Sequence, residues 1–257
     1  MPPMQSSALN ILNQHFDHIY VLTLKQAEAR QHNIRRILNG CNWSFFYGCD
    51  KHNLDPENLE AKGLYDDIKH KATKRTSRSM KLGEVACSIS HKMMYQDMLD
   101  NGYEHVLILE DDVLPLPERI MCLTQELEQL PNDWEVLMLG YYGAKLPQLK
   151  YRIQQNVYRL FRTLKLFNWH HVSKAWIDNI CMQPVSESWY EIGKVLGTHA
   201  YAINRSAAQK FLDYQSPVIL QADRIFNYYK AAHPLKAYAP KQVYFTLSEL
   251  SQESFIQ

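Results

Sequence analysis

The chain has 257 residues, 46% of them hydrophobic and 21% charged, a balance that permits a substantial core and excludes a disordered or fibrous chain. Lys and Arg total 28 against 27 Asp and Glu, so no global charge excess calls for nucleic acid, and none is expected as a partner. The N-terminal stretch lacks a basic n-region with a continuous apolar run, and no segment reaches the ~20 apolar residues that cross a bilayer, so a cytoplasmic location is expected.

In chain order, "FDHIYVLTL" (16–24) is apolar and β-rich and leads into a helical pattern in which Ala27, Ile34, Ile37 and Leu38 recur at near-helical spacing. "WSFFYGC" (43–49) predicts a second strand, followed by a polar stretch from Asp50 to about Ser79, long enough to be functional or mobile. A helix is predicted from Leu82, with Leu82, Val85, Ile89 and Met93 as its apolar stripe and "DNG" as its end. "HVLILEDD" (105–112) and "WEVLMLGYYG" (134–143) are continuous apolar runs of the kind found in parallel sheets covered on both faces, with a helix near 117–130 between them. This alternation predicts an open α/β sheet whose ligands gather at the carboxyl ends of the strands. No repeat or Gly/Ser-rich linker divides the chain, which favours one domain with a helical insertion. The five cysteines, at 41, 49, 87, 122 and 181, form no CxxC pair and are expected to be reduced core thiols.

Glu110, Asp111 and Asp112 stand side by side at one of those strand ends. From the residues alone they are either a solvated strand end or a seat for a hard divalent cation, which needs only one or two carboxylates when phosphate and water complete its shell. In an extended strand Glu110 and Asp112 point the same way. Neither GxxxxGK[ST] nor GxGxxG occurs, so a Gly-rich phosphate cradle is missing and a carboxylate-held metal is the substitute that would neutralise a diphosphate leaving group. His91 alone also reads as a core histidine, and His199 as a strand-end residue.

"LGEVACSISHKMMYQDML", "VLILEDDV", "WEVLMLG" and "GTHAYAINRSAAQKFL" together resemble glycosyltransferase family 25, whose members include bacterial lipooligosaccharide galactosyltransferases. The resemblance runs from "IYVLTLKQAEAR" to the closing "ESFIQ". It implies a GT-A fold, with residues 1–257 as a single Rossmann-like nucleotide-sugar-binding domain and 145–192 as a helical basic insertion on the acceptor side. It further implies an inverting hexosyltransferase that uses UDP-galactose or UDP-glucose and Mn²⁺ or Mg²⁺, with a lipid-linked lipooligosaccharide or lipopolysaccharide core as acceptor.

By the same resemblance the acidic triplet is the family's DxD equivalent, with Asp112 as the metal ligand, Glu110 beside it, and Glu110 or Asp111 facing the ribose or the metal's water shell. Arg30 and Asp50 would serve the nucleotide. Glu84, Ser88 and His91, at i, i+4 and i+7, would present one helix face to the carboxylates. His199 would partner the metal or diphosphate. Asp223, where a helix begins, is the first choice of general base, and Glu187 or Glu191 the second. The closing segment "QVYFTLSELSQESFIQ" departs from many GT-A enzymes in holding no histidine for the metal, which loosens the expected metal requirement. A GT-A scaffold that binds a nucleotide sugar without turning it over is the competing expectation; a two-metal phosphoesterase ranks below both, since the eleven histidines are scattered.

Residues 145–176 carry seven Lys or Arg and no acid before Trp176, and Val157, Leu160, Leu164 and Phe167 share a helical face. The stretch predicts either a basic amphipathic helix in peripheral contact with the inner membrane or a helix packed on the sheet with a solvated basic side.

Overall fold

The computed structural model describes residues 3–73 and 78–252. Its first element is a helix that the sequence reading did not anticipate, α1 (Pro3–His15), whose Leu9 and Leu12 are fully buried. β1 (His18–Thr23), α2 (Glu28–Ile37) and β2 (Ser44–Tyr47) follow in the expected order. The polar stretch is not one loop. It holds two 3-10 turns and α3 (Asp67–Thr73), with Leu59, Tyr65 and Met80 in a small apolar cluster with Val85 and Val218; positions 74–77 lie outside the described residues.

α4 (Leu82–Asp100), β3 (His105–Glu110), β4 (Val113–Pro115), α5 (Pro117–Ile120), α6 (Leu123–Leu127) and β5 (Val136–Tyr142) come next. The α4 stripe differs from the expected one. Met93 is exposed, while His91, Met94, Tyr95 and Met98 face the core and Val85 joins the smaller cluster. The single helix expected near 117–130 is two short ones, and both Ile120 and Leu123 are fully buried across the break.

α7 (Leu149–Thr163) and α8 (Lys174–Asp178) make the expected helical stretch. Helical structure ends before residue 183; β6 (Gln183–Pro184) and β7 (Trp189–Glu191) form a hairpin at the sheet edge rather than the end of a helical insertion. β8 (Leu196–Asn204), α9 (Arg205–Tyr214), α10 (Ile225–Ala232), β9 (Ala237–Pro240) and β10 (Phe245–Leu247) complete the chain.

One eight-stranded sheet runs in the order β2-β1-β3-β8-β5-β9-β7-β6. β1 pairs in parallel with β2 and β3, and β5 with β9, but β8 runs antiparallel between β3 and β5. The expected open α/β sheet is therefore mixed. An apolar run is compatible with either strand direction so long as both faces are covered, which is why the β8 insertion left no mark on the pattern.

Side chains alternate between two cores with the strand period of two. Ile19, Val21, Leu107, Leu109, Leu137 and Leu139 meet α1, α2, α5 and α6 on one face. Tyr20, Val106, Ile108, Met138, Tyr201 and Ile203 meet α4, α9 and α10 on the other. This layering brings the carboxyl ends of β1, β3 and β5 and the start of β8 to one edge of the sheet.

Candidate active site

β3 ends at Glu110, and the three acids take three different settings. The Glu110 carboxylate accepts a hydrogen bond from the Thr198 hydroxyl at the start of β8. Asp111 is buried and saturated: it accepts from the Thr23 hydroxyl at 2.6 Å and from Arg30 Nη1 at 2.8 Å. Asp112 lies 3.5 Å from the same Arg30 nitrogen, and its other oxygen, Oδ1, is buried without a hydrogen-bond partner among the described residues.

Burial raises the Glu110 pKa, with the Asp112 charge adding to it and Asp111 and Asp223 contributing further. Asp112 is also raised, first by burial and then by Asp111, with Arg30 opposing. A cation at this point would reverse both effects and engage the orphaned oxygen. Among the described residues no group of three or more His, Cys, Asp or Glu side chains is arranged to hold a metal. What fits a hard cation is the unpartnered Asp112 Oδ1 and the Glu110 carboxylate at the same cavity edge, if phosphate and water were to supply the remaining oxygens.

Two cavities meet at these carboxylates. The first, of about 130 Å³, has Leu22, Leu24, Gly83 and Ala86 as apolar walls and Arg30 and Lys51 as its cations. The second, of about 390 Å³, is lined by Glu84, Tyr142, Thr198, His199, Gln221 and Asp223 among others. Glu110, Asp112 and Cys87 border both. Such concave, partly apolar spaces with a few convergent polar groups are what small-molecule sites look like.

Glu84 opens α4 by accepting from the Lys81 amide at 2.7 Å, and it pairs with Arg78 at 2.9 Å. Burial alone would raise its carboxyl, but Arg78, the Lys81 amide and Gln221 hold it down to about 2. His199 is buried and driven down to about 4 by desolvation, so its ring is neutral; it stacks on Tyr142 at 6.2 Å between centroids. Gly140 makes room for that ring, because a Cβ there would stand 2.5 Å from His199 Nε2. Gly197, at φ +93°, supplies the left-handed turn that starts β8 one residue before Thr198.

The other sequence-derived candidates fall elsewhere. His91 is buried, with Nδ1 2.8 Å from the Tyr201 hydroxyl and Nε2 4.0 Å from Glu110, too far for a hydrogen bond, and it lines neither cavity. Ser88 turns away, donating to the Leu220 carbonyl at 2.9 Å and tying α4 to the chain before Asp223. Asp50 caps the 3-10 turn that follows it, accepting from the His52 amide at 2.9 Å and from Gln26 at 2.6 Å. Glu187 and Glu191 belong to the β6–β7 hairpin at the far edge of the sheet, where Glu191 pairs with Lys230 at 3.1 Å; neither lines the two cavities. All five cysteines are free, as expected, but only Cys181 is buried.

Thr23, Thr198 and Gln221 were missed. Thr23 closes β1, where strand-end ligands gather, and Thr198 and Gln221 each stand within two residues of a chosen candidate, so position along the strands and loops was the available signal. The closing "ESFIQ", at 253–257, lies outside the described residues.

The chain matches the family described as Glycosyltransferase family 25 (LPS biosynthesis protein) over residues 16–226. It is 26% identical over 160 residues to procollagen galactosyltransferase 2 of Homo sapiens, covering 58% of this chain and 25% of that protein. It is 30% identical over 136 residues to a glycosyltransferase 25 family member of Drosophila melanogaster, covering 50% of this chain and 21% of that one. The chain thus matches a quarter or less of the length of these relatives. Among solved structures, apo mouse xyloside xylosyltransferase 1 aligns over 92% of this chain and 79% of its own, with a TM-score of 0.40 and 13% identity.

Proposed function

Because this chain belongs to glycosyltransferase family 25, we propose that it transfers a hexose, galactose by first preference, from a UDP-sugar to a lipid-linked core saccharide with inversion. The observation that carries the reading is the sharing of Glu110 and Asp112 by two cavities, one suited to a nucleotide and the other to a sugar. Uracil and ribose would occupy the first, with Arg30 held in place by Asp111 at its rim. The diphosphate would lie at Asp112, and the hexose would extend into the second cavity toward Thr198 and His199. A divalent cation held by Asp112 and Glu110 would supply charge neutralisation for the diphosphate as it leaves.

Inversion needs a base on the face opposite the leaving group. Asp223 lines the second cavity, lies 3.6 Å from Arg224, and its charge is felt at Glu110, which supports it as the carboxylate that would take the acceptor hydroxyl's proton. His199, neutral, would position the sugar by hydrogen bonding rather than by charge. In this reading residues 1–257 are one catalytic domain, with 145–192 on the acceptor side.

A lipid-linked acceptor would bring the enzyme to the cytoplasmic face of a membrane. No helix among the described residues is long and apolar enough to cross one. α7 instead has no buried residue and exposes Leu149, Ile153, Val157, Leu160 and Leu164. At 3.6 residues per turn these five fall within an arc of roughly 80°, flanked by Lys150 on one side and Arg152 and Arg159 on the other. An apolar stripe edged with cations suits the surface of an anionic bilayer.

The test is UDP release by the purified protein from UDP-galactose and UDP-glucose, with Mn²⁺, Mg²⁺ or EDTA and a lipid-linked core acceptor. Acceptor-dependent release supports the reading. Tight UDP binding without release under any of these conditions would identify a non-catalytic scaffold instead.

A further inference from the structure

A third cavity, of about 400 Å³, opens beside the second and shares Gln221 with it. Its cations are Arg78, Lys145, Lys194 and Arg224, drawn from four separate parts of the chain, and no carboxylate among the described residues lines it. Its aromatic walls are Tyr158, Trp169, Trp176 and Tyr228. Trp169 stacks on Tyr158 with ring centroids 3.9 Å apart, and Trp176 lies 5.6 Å from Tyr228. We propose that this cleft is an acceptor subsite for an anionic saccharide, one bearing phosphate or carboxylate, whose ring lies on the aromatic wall and whose charge is met by Lys145 and Lys194.

Clustering like charges in a half-buried cleft costs free energy unless an anion joins them. Lys194 registers that cost. Burial lowers its pKa first, and the Arg224 and Lys145 charges lower it further, with Asp223 alone opposing. Lys194 has no salt-bridge partner among the described residues, and the Lys145 ammonium is held by the neutral Gln154 and the Tyr151 and Tyr158 rings. Two of the four cations already hold a carboxylate, Arg78 with Glu84 at 2.9 Å and Arg224 with Asp223 at 3.6 Å, and Asp178 is taken by Arg159 and Lys174, which leaves Lys145 and Lys194 without one among the described residues. Aromatic faces beside cations are also the surfaces on which sugar rings and their charged substituents are held together.

The location fixes the role. Residues 221–224 run along both cavities, with Asp223 in the second and Arg224 in the third. A saccharide seated in the third cavity would therefore extend its next hydroxyl toward Asp223. The inference rests on the transferase reading for the word acceptor, but the anion site itself does not.

Binding of glucose, glucose 6-phosphate and glucuronate, measured by titration calorimetry with and without saturating UDP, tests it. Glucose 6-phosphate or glucuronate should bind at least about tenfold more tightly than glucose, and whichever anion wins names the charged group. UDP should not displace it. Lys145→Gln with Lys194→Gln should abolish the preference for the anion while UDP affinity stays unchanged, which also shows that the variant is folded; Lys194→Arg should keep it. Equal binding of all three sugars, no binding, displacement by UDP, or an unaltered preference in the double variant overturns the proposal. An anion preference in a protein that releases no UDP would sink the transferase reading and leave this site standing.

Discussion

The Nε2 of His91 stands 4.0 Å from the Glu110 carboxylate, yet it brings no charge to it. Burial drives His91 down to about 3, so the ring under the acidic edge is neutral at physiological pH. Arg30 pairs with the triplet, first with Asp111 at 2.8 Å and then with Asp112 at 3.5 Å. Glu110 and Asp112 are left as the pair that an external cation would serve.

Asp112→Asn removes the charge from the residue with the orphaned oxygen and keeps its shape. Transfer should fall at least ~10³-fold in kcat/KM, about 4 kcal/mol of transition-state stabilisation. Glu128→Gln, on the exposed end of the loop after α6, should match the parent. The measurement is acceptor-dependent UDP release under saturating Mn²⁺; near-parental turnover in Asp112→Asn defeats the assignment.

Glu110 makes a prediction about pH in the metal-free protein. Its folded pKa is raised above the ordinary 4.5, so between 4.5 and the folded value the native state holds more protons than the unfolded one. Stability from this group therefore falls as pH rises through that window. Neutral His91 and His199, both lowered, act in the opposite sense below 6.5. The difference between parent and Glu110→Gln isolates the carboxylate: in EDTA the variant's Tm should gain on the parent's as pH rises from 4.5. Mn²⁺ should raise the parent's Tm and not the variant's. A constant Tm difference across pH contradicts the burial of this charge.

Asp223→Asn tests the base. It should lower kcat ~10²- to 10⁴-fold and leave UDP affinity intact, because the side chain lines the cavity proposed for the sugar and not the one proposed for the nucleotide. Loss of UDP binding together with activity would move Asp223 to the donor side.

Gly140 and His199 couple the sheet to the site. Gly140→Ala would put a methyl 2.5 Å from His199 Nε2 and 2.9 Å from the Phe245 carbonyl, and backbone cannot yield as a flexible side chain does. A stability loss of ~1–3 kcal/mol is expected, with the His199 ring displaced from Tyr142. Denaturant unfolding and the His199 ring resonances would show both, and an unperturbed ring would show that the site tolerates the methyl.

Much of this arrangement was legible in the chain. The apolar runs located β1, β3 and β5, since a strand covered on both faces leaves no polar side to disguise it, and the acids at 110–112 marked the ligand edge. The direction of β8 was not legible: "GTHAYAIN" reads equally well in either orientation, and only its pairing with both β3 and β5 makes the sheet mixed. The roles of Ser88 and Asp50 were obscured for a different reason. Spacing places a polar side chain on a face or at a strand end, but a serine or aspartate can satisfy itself on nearby backbone, as Ser88 does on Leu220 and Asp50 on His52. Glu187 and Glu191 were second choices for the base as carboxylates of "SESWYEIG", but the hairpin that holds them is set by pairing with β9, which local sequence does not report.

The exposed stripe of α7 gives the last prediction. A helix of this kind would normally turn Leu149, Ile153, Val157, Leu160 and Leu164 inward, but α7 rests on the cluster of Trp169, Val172 and Ile177 through Tyr158 and Phe161, leaving the leucine side outward. The inner side of α7 thus walls the third cavity, and the outer side is free to meet a bilayer, which would bring a lipid-linked acceptor to the cleft its own sugars enter. Sedimentation with phosphatidylcholine vesicles, with and without phosphatidylglycerol, separates the two forces involved. Binding should require the anionic lipid and weaken as the Debye length falls from ~10 Å at 0.1 M salt to ~3 Å at 1 M. Lys150→Gln with Arg152→Gln should cost about thirty-fold in affinity, at ~1 kcal/mol for each charge. Ile153→Ser with Leu160→Ser should weaken binding at every salt concentration, because burial of apolar area is not screened. If neither pair of changes alters sedimentation, while UDP release stays at the parental level, the stripe has no part in membrane contact.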